Sequence, residues 1–97
     1  MADIHSKEVD TLFKAILDLG SIDDCYMFFE DVCTIKEIQE IAQRLDVALM
    51  LDSGRSYQDI SAATGVSAAT ISRVNKCLNY GSGGYRKAID SIRGQDS

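Results

Sequence analysis

Apolar residues recur every three or four positions along most of this 97-residue chain, and this is the periodicity of amphipathic helices. No stretch shows the alternation typical of a strand, and the sequence contains no proline. The pattern predicts a single all-α domain over residues 1–97 with six helices. Three are expected within residues 6–52, two within residues 57–78 and a short one over residues 85–92, followed by a disordered tail from Gly94.

Residues 57–78 have the pattern of a helix-turn-helix. Gly65 falls where the chain must turn sharply, and glycine takes a positive φ without steric cost. Ser67 follows as the N-cap of the second helix, where its hydroxyl can accept a bond from an unpaired backbone N–H. Two short helices can therefore close on one apolar core. Its expected members are Ile60, Val66, Ile71, Val74 and Leu78.

Capping boxes mark the starts of three helices, one of which is the first helix of the helix-turn-helix. In this motif a serine or threonine accepts a bond from the N–H three residues on, and the acidic side chain there bonds back. The pairs are Ser21 with Asp24, Thr34 with Glu37, and Ser56 with Asp59.

The net charge of −5 is unusual for a DNA-binding protein, but the charges are unevenly distributed. Residues 1–52 hold twelve acids and four bases, whereas residues 53–97 hold three acids and six bases. No acid occurs between Asp59 and Asp90, so the whole second helix of the helix-turn-helix lies in an acid-free stretch. That stretch carries Arg73, Lys76, Arg86 and Lys87. A neutral surface that arose by chance is the alternative to a DNA-facing surface.

The second helix of the helix-turn-helix has an inner face toward the apolar core and an outer face toward solvent. Its first turn would meet base edges, because small residues allow close approach and alanine or threonine methyls can contact a thymine methyl. The hydroxyl groups of Thr70 and Ser72 could form hydrogen bonds with bases or phosphates, and Lys76 is placed to contact a phosphate. Arg73 is either a further contact or an ordinary exposed cation. The predicted DNA-contacting residues are Ser56, Ser67, Ala68, Ala69, Thr70, Ser72, Arg73 and Lys76.

Other function classes receive little support from the sequence. The single histidine lies near the N-terminus and no nucleophile–base pair is evident, so an enzyme is not expected. Three cysteines without CxxC spacing argue against a zinc site or disulfide framework and favour a reducing cytoplasm. No apolar run approaches the ~20 residues of a membrane span, and residues 1–10 are polar and acidic without the apolar stretch of a signal peptide. Neither a membrane span nor a signal peptide is therefore expected.

The first three helices carry many large apolar residues for a chain of this size. These residues could form an internal core, or they could form the interface of a symmetric homodimer. A twofold axis would place the recognition helices, which are the second helices of the two helix-turn-helix motifs, about 34 Å apart. This distance matches successive major grooves of a palindromic site. The residues in question are Leu12, Phe13, Ile16, Met27, Phe28 and Phe29.

Three segments carry a family resemblance: CYMFFEDVCT, TIKEIQEIAQRLDVALML and GVSAATISRVNKCL. They resemble the Trp repressor family, and more specifically the YerC/YecD-type Trp-repressor-related proteins of Gram-positive bacteria. The resemblance extends over roughly residues 7–92. It implies a Trp-repressor-like helical fold, an intertwined homodimer, and repression of transcription from a palindromic operator in double-stranded DNA.

The resemblance also implies an effector pocket. In Trp repressor two arginines enclose the tryptophan corepressor, and Arg44 and Arg73 match them here. Val74 stands where the family has glycine, and Cys77 where it has a serine. Because the valine would occupy space that the indole needs, tryptophan is disfavoured as a small-molecule corepressor, and another amino acid or small anion is the alternative. The arginines could also serve only phosphate contacts and salt bridges.

Two hypotheses follow from the sequence. The first is a sequence-specific transcriptional repressor, acting on an operon of amino-acid metabolism. The second is a protein-interaction module, in which the helix-turn-helix docks a protein partner and the acidic half of the chain repels DNA.

Overall fold

The computed structural model describes residues 3–95, and this range contains six α-helices and no strand. The all-α prediction is confirmed. None of the helices in this range is long and apolar enough to cross a membrane. The helices are α1 (Lys7–Leu17), α2 (Ile22–Val32), α3 (Ile35–Asp52), α4 (Tyr57–Thr64), α5 (Ala68–Tyr80) and α6 (Gly84–Gln95).

The chain divides into two compact units, one up to Ile38 and one from Gln39 onward. The boundary falls within α3, so this helix contributes its first turn to one unit and the remainder to the other. The predicted single domain over residues 1–97 stays a prediction, and its first two and last two residues lie outside the described range.

The helices of the first unit begin at the expected caps. The Thr34 hydroxyl accepts a bond from the Glu37 N–H at 3.1 Å, and the Glu37 carboxylate accepts one from the Thr34 N–H at 2.9 Å. This capping box is complete. Ser21 accepts a bond from the Asp24 N–H at 3.0 Å, but the Asp24 carboxylate bonds to the N–H of Gly20, one residue earlier than in the standard motif.

The second unit has a buried apolar core to which each of its helices contributes. Ile60 of α4 and Ile71 of α5 are completely buried, as is Ile89 of α6. The expected helix-turn-helix core is thereby confirmed, with Leu78 half-buried at its edge. The buried residues are Val47, Ala48, Ile60, Val66, Ile71, Val74 and Ile89.

The first unit differs, because α1 and α2 bury none of their residues. Phe28 and Phe29 contact each other edge to face, with ring centroids 5.3 Å apart, and are half-buried. Phe13 remains 48% exposed and Met27 67% exposed. In the single chain, the large apolar residues of these two helices therefore do not form a closed core.

Helix α6 extends to Gln95, beyond the predicted end at residue 92. The expected disordered tail from Gly94 is wrong for Gly94 and Gln95, which are helical, and its remainder lies outside the described residues. The reason is a set of bonds from Arg93. Its guanidinium donates to the carboxylate of Asp52 at 3.1 Å, the carbonyl of Leu49 at 3.3 Å and the hydroxyl of Ser53 at 3.2 Å.

Asp52 of α3 forms ion pairs with two arginines of α6. It accepts a bond from Arg86 at 2.7 Å and one from Arg93 at 3.1 Å. The hydrogen bond from Arg86 lowers the pKa of the Asp52 carboxyl below its ordinary value. Arg86, which the sequence groups with the cations of the acid-free stretch, is thus neutralised by this pair and by Asp90 at 3.5 Å.

Gly65→Ala should lower the free energy of unfolding by about 1 to 2 kcal/mol, the cost of a left-handed conformation for an L-residue. Gly65 has φ 75°, and an added Cβ would meet no atom within 4 Å, so the cost is one of backbone conformation. Urea unfolding measures it. Gly94→Ala is the matched control, because Gly94 is helical and an added Cβ would meet no atom within 4 Å. Equal stabilities of the two variants would contradict the assignment.

The Asp52 pair should make stability depend on pH in the acid range. Because the pKa of Asp52 is lowered on folding, its stabilisation is present above the ordinary pKa of 3.8 and is lost as the pH falls through the lower folded value. The difference in unfolding free energy between the wild type and Asp52→Asn should therefore shrink in acid.

Urea unfolding of both proteins at several pH values from about pH 6 downward checks this expectation. Asp46→Asn, on the same helix and exposed, is the control. A wild-type advantage over Asp52→Asn that persists unchanged in acid would mean that the carboxylate contributes no charge-dependent stability.

Candidate nucleic-acid interface

The turn between α4 and α5 is closed by its own polar groups. Gly65 adopts φ 75° and ψ 5°, and its N–H donates to the carbonyl of Ser61 at 2.8 Å. The Thr64 hydroxyl donates to the carbonyl of Ile60 at 2.7 Å and accepts a bond from the Val66 N–H at 3.1 Å. These bonds satisfy backbone groups that a helix end leaves unpaired. They also fix the direction in which α5 leaves the turn.

The N-caps of the two helices use their hydroxyl groups differently. Ser67 accepts a bond from the Thr70 N–H at 3.3 Å and donates to the Thr70 hydroxyl at 3.2 Å. Ser56 accepts a bond from the Asp59 N–H at 3.1 Å. Within residues 3–95, the O–H of Ser56 has no acceptor and is available to a phosphate oxygen.

Helix α5 has one buried and one exposed face. Ile71 is fully buried and Val74 is 2% exposed, whereas the residues between them face solvent. The structure places every predicted DNA-contacting residue at an exposed position, and their contact with DNA stays a prediction. They are Ser56 at the start of α4, Ser67 at the N-cap of α5, and Ala68, Ala69, Thr70, Ser72, Arg73 and Lys76 along α5.

Cations at this surface are free of carboxylate partners. In the described part of the chain neither Arg73 nor Lys76 forms an ion pair. The same holds for Arg55, which is not among the predicted DNA-contacting residues. It is exposed, directly precedes the N-cap Ser56, and its own N–H donates to the carbonyl of Met50 at 3.2 Å. Its position before a capping serine is the signal that could have identified it.

The four residues of the expected effector pocket line two different cavities. Arg44 of α3 and Arg73 and Val74 of α5 line one cavity of about 370 Å³. Cys77 lines another of about 500 Å³, together with Arg44. The other residues of the first cavity are Glu40, Gln43, Val66, Ser67 and Thr70, and those of the second are Ile41, Leu45, Gly81, Ser82, Gly84, Tyr85 and Ala88.

The two cavities differ in chemistry. The first has two guanidinium groups, the carboxylate of Glu40 and the hydroxyls of Ser67 and Thr70 in its wall, beside the first turn of α5. The second is mainly apolar, with Arg44 as its charged member. Arg44 is thus common to both. The structure brings Arg44, Arg73 and Val74 together as expected, but it does not bring Cys77 to the same cavity.

Comparison with known proteins assigns the family. A sequence model described as Trp repressor protein matches residues 7–93. The chain belongs to the Trp repressor family. The chain is also similar in sequence to the uncharacterized protein YerC of Bacillus subtilis (strain 168). It is 52% identical over 90 residues, which span 93% of this chain and 86% of YerC.

Two solved structures share the fold of this Trp repressor family member. A TrpR-like protein from Eubacterium eligens ATCC 27750 is 50% identical, with a TM-score of 0.88 and 92% of each chain covered. A candidate Trp repressor from Staphylococcus aureus is 42% identical, also with a TM-score of 0.88, over 93% of this chain and 90% of the other. The family and fold indicated by the sequence are confirmed.

Proposed function

We propose that this protein is a sequence-specific DNA-binding transcriptional regulator, a repressor that binds a palindromic operator as a homodimer in the cytoplasm. Family membership supports a regulator and not an enzyme. The observation that carries the proposal is the exposed face of α5, which is free of acids and lies opposite the buried Ile71 and Val74. An operon of amino-acid metabolism is the proposed target, by analogy with the family.

The electrostatics of this face support DNA binding. Arg73 and Lys76 lie on α5 without ion pairs among the described residues, and Arg55 adds a third such cation near the start of α4. Phosphate contacts position a protein on the duplex, and contacts to base edges give it sequence preference. The small residues Ala68 and Ala69 leave the first turn of α5 open to a close approach by the major groove.

Exposed apolar residues of the first unit support the homodimer. Leu17 is 82% exposed, Met27 67% and Phe13 48%, and α1 and α2 have no buried residue. An apolar surface of this kind is typical of an interface. We assign a second copy of the chain to it. Residues 6–52 then form the dimerisation part and residues 57–78 the DNA-reading part of one domain.

The apolar cavity of the second unit supplies a complementary surface. Ile41, Leu45, Tyr85 and Ala88 line it, and Arg44 is at its wall. The first unit is rich in acids, with Glu8 and Asp10 in the first turn of α1. Apolar side chains from the first unit of a second copy would fill this cavity, and acids beside them would face Arg44.

The wild type should sediment as a dimer at micromolar concentration, and Leu17→Glu should shift it toward monomer, because a charge would be buried at the interface. Thr11→Glu adds the same charge to the same helix and is the control. Analytical ultracentrifugation measures the masses. A monomeric wild type, or equal dissociation of the two variants, would contradict the proposed interface.

A small-molecule effector is part of the proposal. The cavity lined by Arg44 and Arg73 offers two guanidinium groups to a carboxylate or another small anion, and Glu40 in the same wall offers a carboxylate to the ammonium group of an amino acid. Val74 lines the same cavity. Because it stands where the Trp repressor family has a glycine, we expect less space here for an indole. An amino acid smaller than tryptophan is therefore the proposed ligand class.

Lys76→Ala should weaken binding to all DNA sequences alike and reduce the slope of log affinity against log salt by about 1, because one phosphate contact is lost. Thr70→Ala, by contrast, should change the order of preference among sequences. Fluorescence anisotropy with labelled duplexes at several salt concentrations measures both effects.

Lys14→Ala is the matched control for Lys76→Ala, since Lys14 is an exposed cation on α1, outside the proposed reading part. Identical salt slopes for the wild type, Lys76→Ala and Lys14→Ala would place the phosphate contacts elsewhere.

The second candidate function is a protein-interaction module, and the acidic balance of the chain favours it, with a net charge of −5. In that case the helix-turn-helix would dock a protein partner. The salt response separates the two functions, since DNA binding releases counterions at each phosphate and weakens steeply as salt rises.

A further inference from the structure

We propose that Gln43 is a positioning residue that sets the recognition helix against α3. Its side-chain amide donates a hydrogen bond to the backbone carbonyl of Thr64 at 3.2 Å, across 21 residues of sequence. This inference rests on the proposed DNA-reading function, which gives the position of α5 its importance.

The acceptor in this bond is a group that α4 itself leaves unpaired. Thr64 is the last residue of α4, and the carbonyls of a final helical turn have no partner within their helix. The Thr64 hydroxyl is already engaged with Ile60 and Val66. Gln43 therefore supplies from α3 a donor that the turn lacks.

The location of the bond makes it effective for orienting α5. The chain passes from Thr64 through Gly65 and Val66 to the N-cap Ser67, so a shift of the Thr64 carbonyl moves the start of α5 directly. Apolar contacts in the core are non-directional, whereas a hydrogen bond weakens steeply when its angle departs from linear. The bond adds a directional constraint to an otherwise apolar contact.

Two groups of hydrogen bonds connect α3 to other helices of the second unit, at two positions along the length of α3. Near its C-terminus, Leu49 and Asp52 accept bonds from Arg93 of α6. Gln43 lies nine residues before Asp52, about 13 Å along a helix that rises 1.5 Å per residue. The first group fixes α6, and Gln43 fixes the turn that precedes α5.

Gln43 also borders the cavity that contains Ser67, Thr70 and Arg73. The same side chain thus contacts the turn on one side and faces the first turn of α5 across this cavity on the other. A loosened turn would displace Ser67 and Thr70 together, and with them the surface proposed to meet base edges.

Gln43→Met tests the role, because methionine keeps the length and helix propensity of the side chain but cannot donate. The affinity for the selected operator should fall by up to about tenfold, because losing a hydrogen bond of ordinary strength lowers the fraction of molecules in which α5 is correctly placed by at most that factor. Affinity for unrelated DNA should change less, because non-specific phosphate contacts do not require a fixed register. Gln39→Met, one turn earlier on α3 and exposed, is the matched control.

A spectroscopic readout separates positioning from general stability. The carbonyl carbon resonance of Thr64 should shift in Gln43→Met and not in Gln39→Met. Thermal unfolding checks that both variants are fully folded at the temperature of the binding assay. An unshifted resonance, or an operator affinity equal to that of Gln39→Met, would overturn the proposal.

Failure of the proposed function gives a different result. If the wild type selected no DNA sequence, the positioning role would be overturned with that function, whereas the Thr64 resonance would still report whether the bond itself forms. A shifted resonance with unchanged operator affinity would overturn the positioning role alone and leave the proposed function intact.

Discussion

The left-handed turn at Gly65 is the constraint on which the rest of the second unit depends. It sets the direction in which α5 leaves α4, and through that direction it decides which face of α5 is buried. Ile71 and Val74 enter the core with Ile60 and Val47, and the opposite face is left to solvent. The exposed surface that we assign to DNA is therefore a consequence of how the other face packs.

The two compact units have opposite characters. The second is closed around its own apolar core and is further held by the pairing of Asp52 with Arg86 and Arg93. The first has α1 and α2 without a buried residue, although both are amphipathic and well capped. Such a pattern is understandable if the first unit completes its core with a second copy, as the proposed homodimer requires.

Local features of the fold could be predicted from the sequence because they depend on neighbouring residues. The caps at Ser67 and Thr34 and the turn at Gly65 follow from short motifs, and the apolar period of α5 fixes its buried face. The extension of α6 to Gln95 could not be predicted, because it depends on Arg93 meeting Asp52 across 41 residues of sequence.

The same limit applies to the candidate site. The exposed positions on α5 follow from the helical period, and the family resemblance predicts the pairing of Arg44 with Arg73. The separation of Cys77 from that pair depends on where each side chain lies between α3, α5 and α6, which the sequence does not indicate. The bond from Gln43 to Thr64 joins residues with no sequence motif in common.

Selection of genomic DNA by the purified protein shows whether the protein recognises a specific DNA sequence. It is best done at about 0.15 M salt, near physiological ionic strength, with and without a mixture of amino acids. We expect enrichment of a palindromic motif whose half-sites lie about one helical turn apart, about 34 Å between centres. No enriched motif under either condition would contradict this expectation and favour the protein-interaction module.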